Sequence, residues 1–459
     1  MIDKIINEID NKENVLILGF GKEGKSTYNL IRKYLTSKKL TIADSNVNLL
    51  LDNEFLKDDS NLDIVLGDNY LNSLEEYDLI IKSPGVNFKF ISTDKFVDNI
   101  TSQLELFLKY CDSKTIGVTG TKGKSTTSSL IYYILNNLGK DTILVGNIGV
   151  PVFERLEDIS KDTLVVIEMG VHQLQFLKHS PDISAILNVY EEHLDHYKSY
   201  DEYIQSKYNI FKFQKKDSYQ ILGVDSDSKS LADNLLNLYK ISTCKSCIDR
   251  GILIEAKSLY LIKNGKCTLI YNNNRKRKLL GNHNLYNIAC SLCVCDILNL
   301  DLGLASSIID EFSPLEHRME YVGTYKDISF YNDSIATIPL AAINCFESID
   351  NIETVIIGGM DRGINLDILI DYLNNNEKIL NCIFLKDTGY MIADKLESLK
   401  CSKKIIKAKD MDEAVKVSYQ LTTSGKACCL SPAAASYNNY KNFEERGNDF
   451  KNCVLKYNF

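Results

Sequence analysis

The feature that most constrains this chain is a glycine-rich turn between an apolar run and a helical pattern, and it occurs twice. Residues 19–27 read GFGKEGKST and overlap the apolar run NVLILGF. The stretch satisfies G-x-G-x-x-G, the dinucleotide turn, and also G-x-x-x-x-G-K-S, the P-loop. Residues 117–126 read GVTGTKGKST and overlap TIGVTG; here the strict P-loop spelling fails, because Val118 stands where its first glycine belongs. Such glycines suit a strand that feeds a helix through a tight, phosphate-sized turn. Short apolar runs alternate with helical patterns from end to end, which predicts an α/β fold with mostly parallel sheets.

The runs fall into three series. NVLILGF, LTIAD and YDLIIKSPGV form the first; TIGVTG, DTILVGN, TLVVIEMG and ISAILNV the second; DISFYNDS, ETVIIGGM, NCIFLKD and KACCLSPA the third. The stretch GNHNLYNIACSLCVCDILNL predicts a long helix before the third. A chain of 459 residues suits about three domains of roughly 150 residues. Soft boundaries near residues 102 and 312 predict domains at 1–102, 103–312 and 313–459.

Hydrophobic residues make up 44% and charged residues 25%, as in ordinary globular proteins. The net charge of -8 argues against nucleic acid as a partner. The opening MIDKIINEID carries charges where a signal peptide needs an apolar core, and no uncharged run is long enough to span a bilayer. A cytoplasmic protein without a membrane partner is expected, so its 13 cysteines read as reduced thiols. Cys290, Cys293 and Cys295 lie in the apolar helical pattern, and Cys244 and Cys247 form one isolated C-x-x-C, too few ligands for zinc.

The two turns ask for different ligands. Asp44 closes LTIAD 20 residues after Gly24, the spacing at which an acidic side chain accepts a ribose hydroxyl. The first turn therefore favours a nucleotide over a P-loop phosphate site, and alone it would suggest an NAD-dependent dehydrogenase; the lesser alternative is a bare strand-to-helix turn with no ligand. In the second turn Gly120, Thr121, Lys122, Gly123, Lys124, Ser125 and Thr126 offer backbone N–H groups, a lysine for the β- and γ-phosphates and a hydroxyl for Mg2+. Glu168 ends TLVVIEMG, at the carboxyl edge where α/β sheets place ligands. His193 and Lys207, alone, read as structural or solvated side chains.

Seven stretches occur in order: GTKGKSTT, VGNIGVP, ILNVYEEHLDHY, SKYNIF, GNHNLYN, EHRME and LSPAAASYNNYKNFEERG. In this set and order the chain resembles the Mur ligases, ATP-dependent amide-forming enzymes of peptidoglycan precursor synthesis, from Gly19 to Phe450. Its ending resembles the glutamate-adding branch, the MurD type. The resemblance implies an N-terminal Rossmann-like domain for a UDP-sugar, a central P-loop ATPase domain and a C-terminal Rossmann-like domain for the amino acid. ATP would phosphorylate the L-alanine carboxylate of UDP-N-acetylmuramoyl-L-alanine, and the amine of glutamate would attack the acyl phosphate. D-glutamate is favoured, L-glutamate is the alternative, and a monomer is expected.

The same resemblance assigns roles residue by residue. Gly19, Phe20, Gly21, Asp44 and Asn147 would meet the UDP-sugar. The second loop would hold ATP, with Asn284 and Asn287 near the adenine and Arg318 and Asp333 reaching the nucleotide. Ser125, Glu168, His193 and a carbamylated Lys207 would hold two Mg2+ ions, with Glu192 and Asp195 orienting His193. Lys124, Glu168, His193 and Lys207 would thus be catalytic. Thr337, Arg362, Ser436 and Phe443 would line the glutamate pocket.

Some positions depart from the family pattern. Met169-Gly170 and Val171-His172 follow the strand glutamate, where serines are usual; His172 would touch substrate or fill space. Ile335 and Arg362 each stand at a usual lysine. The competing readings are a folylpolyglutamate or other Mur-type ligase, whose ending differs, and a dehydrogenase, which leaves the second loop without a use.

Overall fold

The computed structural model describes residues 1–232, 235–272 and 274–458. Two compact units divide the chain: residues 1–275 with 285–309, and residues 276–284 with 310–459. Among the described residues the strands form three sheets, two in the first unit and one in the second.

The first sheet holds β1 (Val15–Leu18), β2 (Leu40–Asp44), β3 (Leu62–Leu66), β4 (Leu79–Lys82) and β5 (Ile100–Thr101), ordered β3-β2-β1-β4-β5. All its pairings are parallel, with Leu16 opposite Thr41 and Val15 opposite Leu79. Every residue of β1 is buried, which is why the strand reads as a continuous apolar run and not as an alternation. Chain order reverses between β1 and β4, so a crevice opens at the carboxyl end of β1. The opening MIDKIINEID folds as an amphipathic helix, Ile2–Asp10, that buries Ile5, Ile6 and Ile9.

The second sheet holds β6 (Thr115–Thr119), β7 (Thr142–Gly146), β8 (Leu164–Glu168), β9 (Ile183–Ile186), β10 (Tyr219–Gly223), β11 (Leu238–Ser242), β12 (Gly251–Glu255), β13 (Ser258–Lys263) and β14 (Lys266–Tyr271). Its order is β14-β13-β12-β11-β10-β9-β6-β8-β7. Pairings are parallel from β7 to β12; β13 and β14 add as antiparallel hairpins. The three apolar series of the sequence omit β10 to β14. The β13–β14 hairpin turns on Asn264 and Gly265 at φ 53° and 72°, an Asn-Gly signal that was there to be read. The β12–β13 turn puts Ala256 and Lys257 at φ 48° and 60°, and neither residue type announces a left-handed turn.

The third sheet holds β15 (Glu320–Tyr325), β16 (Ile328–Asn332), β17 (Ile352–Gly359), β18 (Asn381–Asp387), β19 (Lys404–Lys407) and β20 (Ala427–Leu430), ordered β15-β16-β20-β17-β18-β19. Only β15 runs antiparallel. The last strand enters between β16 and β17, so the loops after these three strands share one edge. All eight residues of β17 are buried, each large apolar side chain contributing roughly 1.5–3 kcal/mol. No helix among the described residues is long and apolar enough to cross a membrane. Cys290, Cys293 and Cys295 are buried in the helix Asn284–Ile297, Cys244 is exposed, and no disulfide forms among the described residues.

Candidate functional site

The two glycine turns differ in where the following helix begins. After β1 the helix Lys22–Tyr34 starts at once, with Gly21 as its N-cap. Gly24, Lys25 and Ser26 are therefore already helical and cannot wrap a phosphate. Gly19 takes φ 85°, and a Cβ on Gly24 would sit 2.1 Å from the Gly19 carbonyl oxygen, so only glycine lets helix and strand approach so closely. Ser26 and Thr27 are buried and each accept from Gln103 Nε2 at 3.2 Å. Lys25 turns outward to Asn53 Oδ1 at 3.3 Å and over the Phe55 ring at 5.2 Å.

After β6 the chain makes a longer loop, and the helix Lys124–Asn137 begins only at the lysine. Gly120 and Gly123 take φ 157° and 88°. Lys124 Nζ curls back to the carbonyl oxygens of Gly120 at 2.9 Å and Thr121 at 3.1 Å, so its charge sits over the loop. The loop is braced from below. Lys122 N donates to Asn188 Oδ1 at 2.9 Å, Thr121 Oγ1 lies 2.9 Å from the Tyr203 hydroxyl, and Lys122 Nζ pairs with Glu192 at 2.8 Å. A Cβ on Gly123 would lie 2.5 Å from Asn287 Oδ1, which itself accepts from Thr127 at 3.0 Å. Asn287 thus supports the loop directly. Thr126 is buried and Ser125 half-buried on the first helical turn. A loop left open ahead of its helix belongs to the second turn, despite its imperfect P-loop spelling.

Glu168 closes β8 beside this loop and is 1% exposed. Its Oε1 accepts from Asn147 Nδ2 at 2.6 Å, while its Oε2 is buried without a hydrogen-bond partner. A buried carboxylate oxygen with no donor is costly and suits a cation ligand. Lys207 is 1% exposed on the helix Tyr200–Lys212. Its ammonium lies over the Tyr203 ring at 4.7 Å. Burial, and next the charge of Lys124, push it down to about 7, into the range where the neutral amine coexists with the ammonium.

His193 is exposed at φ 61°, with Nε2 3.8 Å from Glu192. His172 packs against it and against His196, at 4.9 and 3.9 Å between ring centroids, and Tyr197 stacks on the other side. Burial lowers His172 to about 3 and His196 to about 4, so these rings are neutral near pH 7. His172 is half-buried among these rings, with its Nδ1 3.3 Å from the Tyr197 hydroxyl. Among the described residues no three His, Cys, Asp or Glu side chains converge into a metal cluster. Of the metal donors expected from the sequence, Glu168 is the one with a buried oxygen that lacks a hydrogen-bond partner, as a cation ligand would.

A cavity of about 400 Å3 opens at the carboxyl edge of the first sheet. Gly19, Gly21, Glu23, Asp44 and Ser83 line one side, and Gly146, Asn147 and Pro151 the other. Asp44 accepts from Phe20 N at 2.6 Å and Asn46 N at 2.8 Å, so it also fixes the turn. The Phe20 side chain is buried against Tyr28, and Phe20 does not line the cavity.

In the second unit, Asp333, Thr337, Arg362, Ser436 and Phe443 follow the carboxyl ends of β16, β17 and β20. Asp333 is 5% exposed and accepts from Ser431 Oγ at 2.8 Å and Met319 N at 3.1 Å. Burial pushes it up to about 6, opposed by the Arg318 charge. Arg362 is exposed and Ser436 buried. Asn284 donates to the Leu280 carbonyl at 2.5 Å and contacts His283. One residue escaped the sequence pattern. Arg446, 1% exposed, holds the Ser334 hydroxyl, the Ser334 carbonyl and the carbonyls of Ala434 and Ala435. It ties the loop after β16 to the loop after β20. An arginine in a helix such as FEERGNDF reads from sequence as solvated.

Comparison with known proteins follows this geometry. The family model described as the Mur ligase middle domain matches residues 118–295. A UDP-N-acetylmuramoylalanine–D-glutamate ligase of Clostridium botulinum (strain Loch Maree / Type A3) is 32% identical over 432 residues, covering 92% of this chain and 89% of that protein. The one of Clostridium kluyveri is 35% identical over 423 residues, covering 90% and 87%. Among solved structures, the UDP-N-acetylmuramate–alanine ligase of Thermotoga maritima shares the fold at a TM-score of 0.59 and 18% identity, covering 97% of this chain and 99% of that one.

Proposed function

The chain belongs to the Mur ligases, and from that premise we propose that it is the glutamate-adding ligase of cytoplasmic peptidoglycan precursor synthesis. It joins D-glutamate to the L-alanine carboxyl of UDP-N-acetylmuramoyl-L-alanine and converts ATP to ADP and phosphate. One observation carries the reading: a phosphate-wrapping loop, an orphaned buried carboxylate and a low-pKa buried lysine occur together in one unit. The likeness to D-glutamate ligases along nearly the whole chain supports D-glutamate over L-glutamate.

The family resemblance and the geometry together support the following roles. Backbone N–H groups of the loop and first helical turn, other than those of Thr121 and Lys122, which donate to Asn188, cradle the phosphates, and Lys124 leaves its loop carbonyls to meet the β- and γ-phosphates. Asn287 keeps the loop in shape. Ser125 and Glu168 would hold one Mg2+, and His193 with carbamylated Lys207 a second; bound Mg2+ supplies neutralising charge for the transferring phosphoryl group. Lys207 suits carbamylation because burial keeps much of its amine neutral. Asn147, bonded to Glu168, meets the substrate carboxyl, and the cavity at Gly19, Gly21 and Asp44 takes the UDP end. The carboxylate oxygen attacks the γ-phosphoryl group; ADP leaves and an acyl phosphate forms. The neutral amine of glutamate then attacks the carbonyl, loses its proton and expels phosphate. We assign Arg318 and Asp333 to ATP, and Thr337, Arg362, Ser436 and Phe443 to glutamate.

Incubation with UDP-N-acetylmuramoyl-L-alanine, ATP and D-glutamate, followed by mass and chiral analysis, tests the reading. The expected product carries one D-glutamyl residue. A different amino acid coupled while both glutamate enantiomers stay inert would overturn the acceptor assignment.

A further inference from the structure

One side chain in the cavity of the first unit has no role in the reaction above. Glu23 is the second residue of the helix Lys22–Tyr34 and lines the cavity. Its Oε1 accepts from Gln173 Nε2 at 2.5 Å, whereas its Oε2 is shielded from solvent and has no hydrogen-bond partner. Gln173 is fixed in turn, because its Oε1 accepts from Gly170 N at 2.8 Å. Gly170 lies two residues beyond Glu168. The carboxyl is therefore anchored from the segment that carries the phosphoryl-transfer glutamate.

The surroundings keep this carboxyl in place without satisfying it. Burial raises its pKa, opposed by the Gln173 hydrogen bond and the Lys82 charge. Lys82, 4% exposed at the end of β4, lies over the rings of Phe88 and Phe176 at 5.4 and 5.9 Å and donates to the Ser83 carbonyl at 3.3 Å. It forms no ion pair among the described residues. An acceptor oxygen desolvated without a donor is destabilising unless a ligand supplies the missing hydrogen. A phosphate cannot, since it carries negative charge and offers no donor at neutral pH. An amide N–H or a hydroxyl can.

Resting on the assignment of this cavity to the UDP-sugar, we propose that Glu23 is a specificity-determining residue whose Oε2 accepts a hydrogen bond from an amide N–H or hydroxyl of the muramoyl-alanine half of the ligand. That half is selected because the nucleotide end belongs to the Gly19–Gly21 turn and Asp44. The tether through Gln173 instead points Glu23 toward the segment of Glu168, where the alanine carboxyl is activated.

Isothermal titration of the full chain with UDP-N-acetylmuramoyl-L-alanine and, separately, with UDP tests the proposal. Glu23→Gln preserves size and the bond from Gln173 but turns a donor toward the ligand. It should weaken the muramoyl ligand by roughly 10- to 100-fold, the scale of a lost specific hydrogen bond to a charged group, and leave UDP within about twofold. Glu23→Asp, which keeps an acceptor set further back, should fall between. Thermal melts and the Kd of ATP report folding. Wild-type affinity for the muramoyl ligand in Glu23→Gln would overturn the proposal, as would an equal loss for UDP. Failure of the wild-type chain to bind the UDP-sugar at all would instead refute the cavity assignment.

Discussion

Exchanging one lysine in each glycine turn separates the roles of the two loops. In Lys124→Ala the loop loses the only side-chain charge that rests on its own carbonyls, at 2.9 and 3.1 Å. In the proposed reaction that charge meets the transferred phosphoryl group, and removing one such preorganised group costs about 3–4 kcal/mol, or roughly 10²–10³ in turnover. Lys25 has the same spelling around it but the opposite setting. It is exposed, with one long hydrogen bond at 3.3 Å and a ring contact at 5.2 Å. An exposed contact of that kind contributes about 0.5–1 kcal/mol, and it concerns stability alone. Lys25→Ala should therefore keep the ATP KM and turnover within about threefold, a change of roughly 0.7 kcal/mol. Phosphate release measured against ATP, with the UDP-sugar and D-glutamate saturating, gives both parameters. A tenfold rise in the ATP KM of Lys25→Ala, with Lys124→Ala active, would show that helix start does not distinguish the loops.

Three further outcomes are expected. Lys207→Ala should be nearly inactive and partly rescued by short carboxylates; in the wild type, with Lys207 lowered to about 7, labelled bicarbonate should be incorporated at pH 8 and much less near pH 6, where the ammonium prevails. Unmodified Lys207 at the higher pH, seen by mass spectrometry of the bicarbonate-treated protein, would refute this. Phosphate release should be faster with D-glutamate than with L-glutamate, and Arg362→Ala should raise the glutamate KM with the ATP KM unchanged, because Arg362 is assigned to the glutamate side chain, whose carboxylate its planar fork can grip bidentately; equal KM values before and after would remove Arg362 from the pocket. Asp333, raised from 3.8 to about 6 by burial, favours the fold while protonated and loses that contribution as pH rises through about 6. Asp333→Asn should accordingly stabilise the protein at pH 8 by up to about 3 kcal/mol, with little change at pH 4, as thermal melts at the two pH values would show.

Much of the site was legible because its chemistry is local. Gly120 to Thr126 lie within one loop and the first turn of the helix after it, Glu168 ends a strand, and the seven motifs keep their order, so the α/β class and the expected phosphate loop could be read from the sequence. Other features depend on partners far along the chain. Arg446 meets Ser334 across 112 residues, and Glu23 meets Gln173 across 150; no local pattern marks either, since periodicity reports which face is buried and not what it meets. The hairpin strands β13 and β14 were hidden for a related reason. One of their turns uses Ala256 and Lys257 in a conformation those residues seldom adopt alone, and sheet pairing holds them there.

The two turns show where that division falls. Sequence by itself determined that both are strand-to-helix connections built on glycine, because backbone sterics leave few alternatives to such spacing. Their spelling alone points the wrong way, since GFGKEGKS spells a P-loop in full and GVTGTKGKS does not; the Asp44 spacing and the order of the motifs assign the phosphates to the second. Tertiary structure sets the physical difference between them. The close approach of Gly24 to Gly19 starts the first helix early and buries Ser26 against Gln103, whereas Asn188 and Asn287 hold the second loop open ahead of its helix. The number of backbone N–H groups left free to face a phosphate depends on where the helix begins, and in both loops packing from distant residues sets that point.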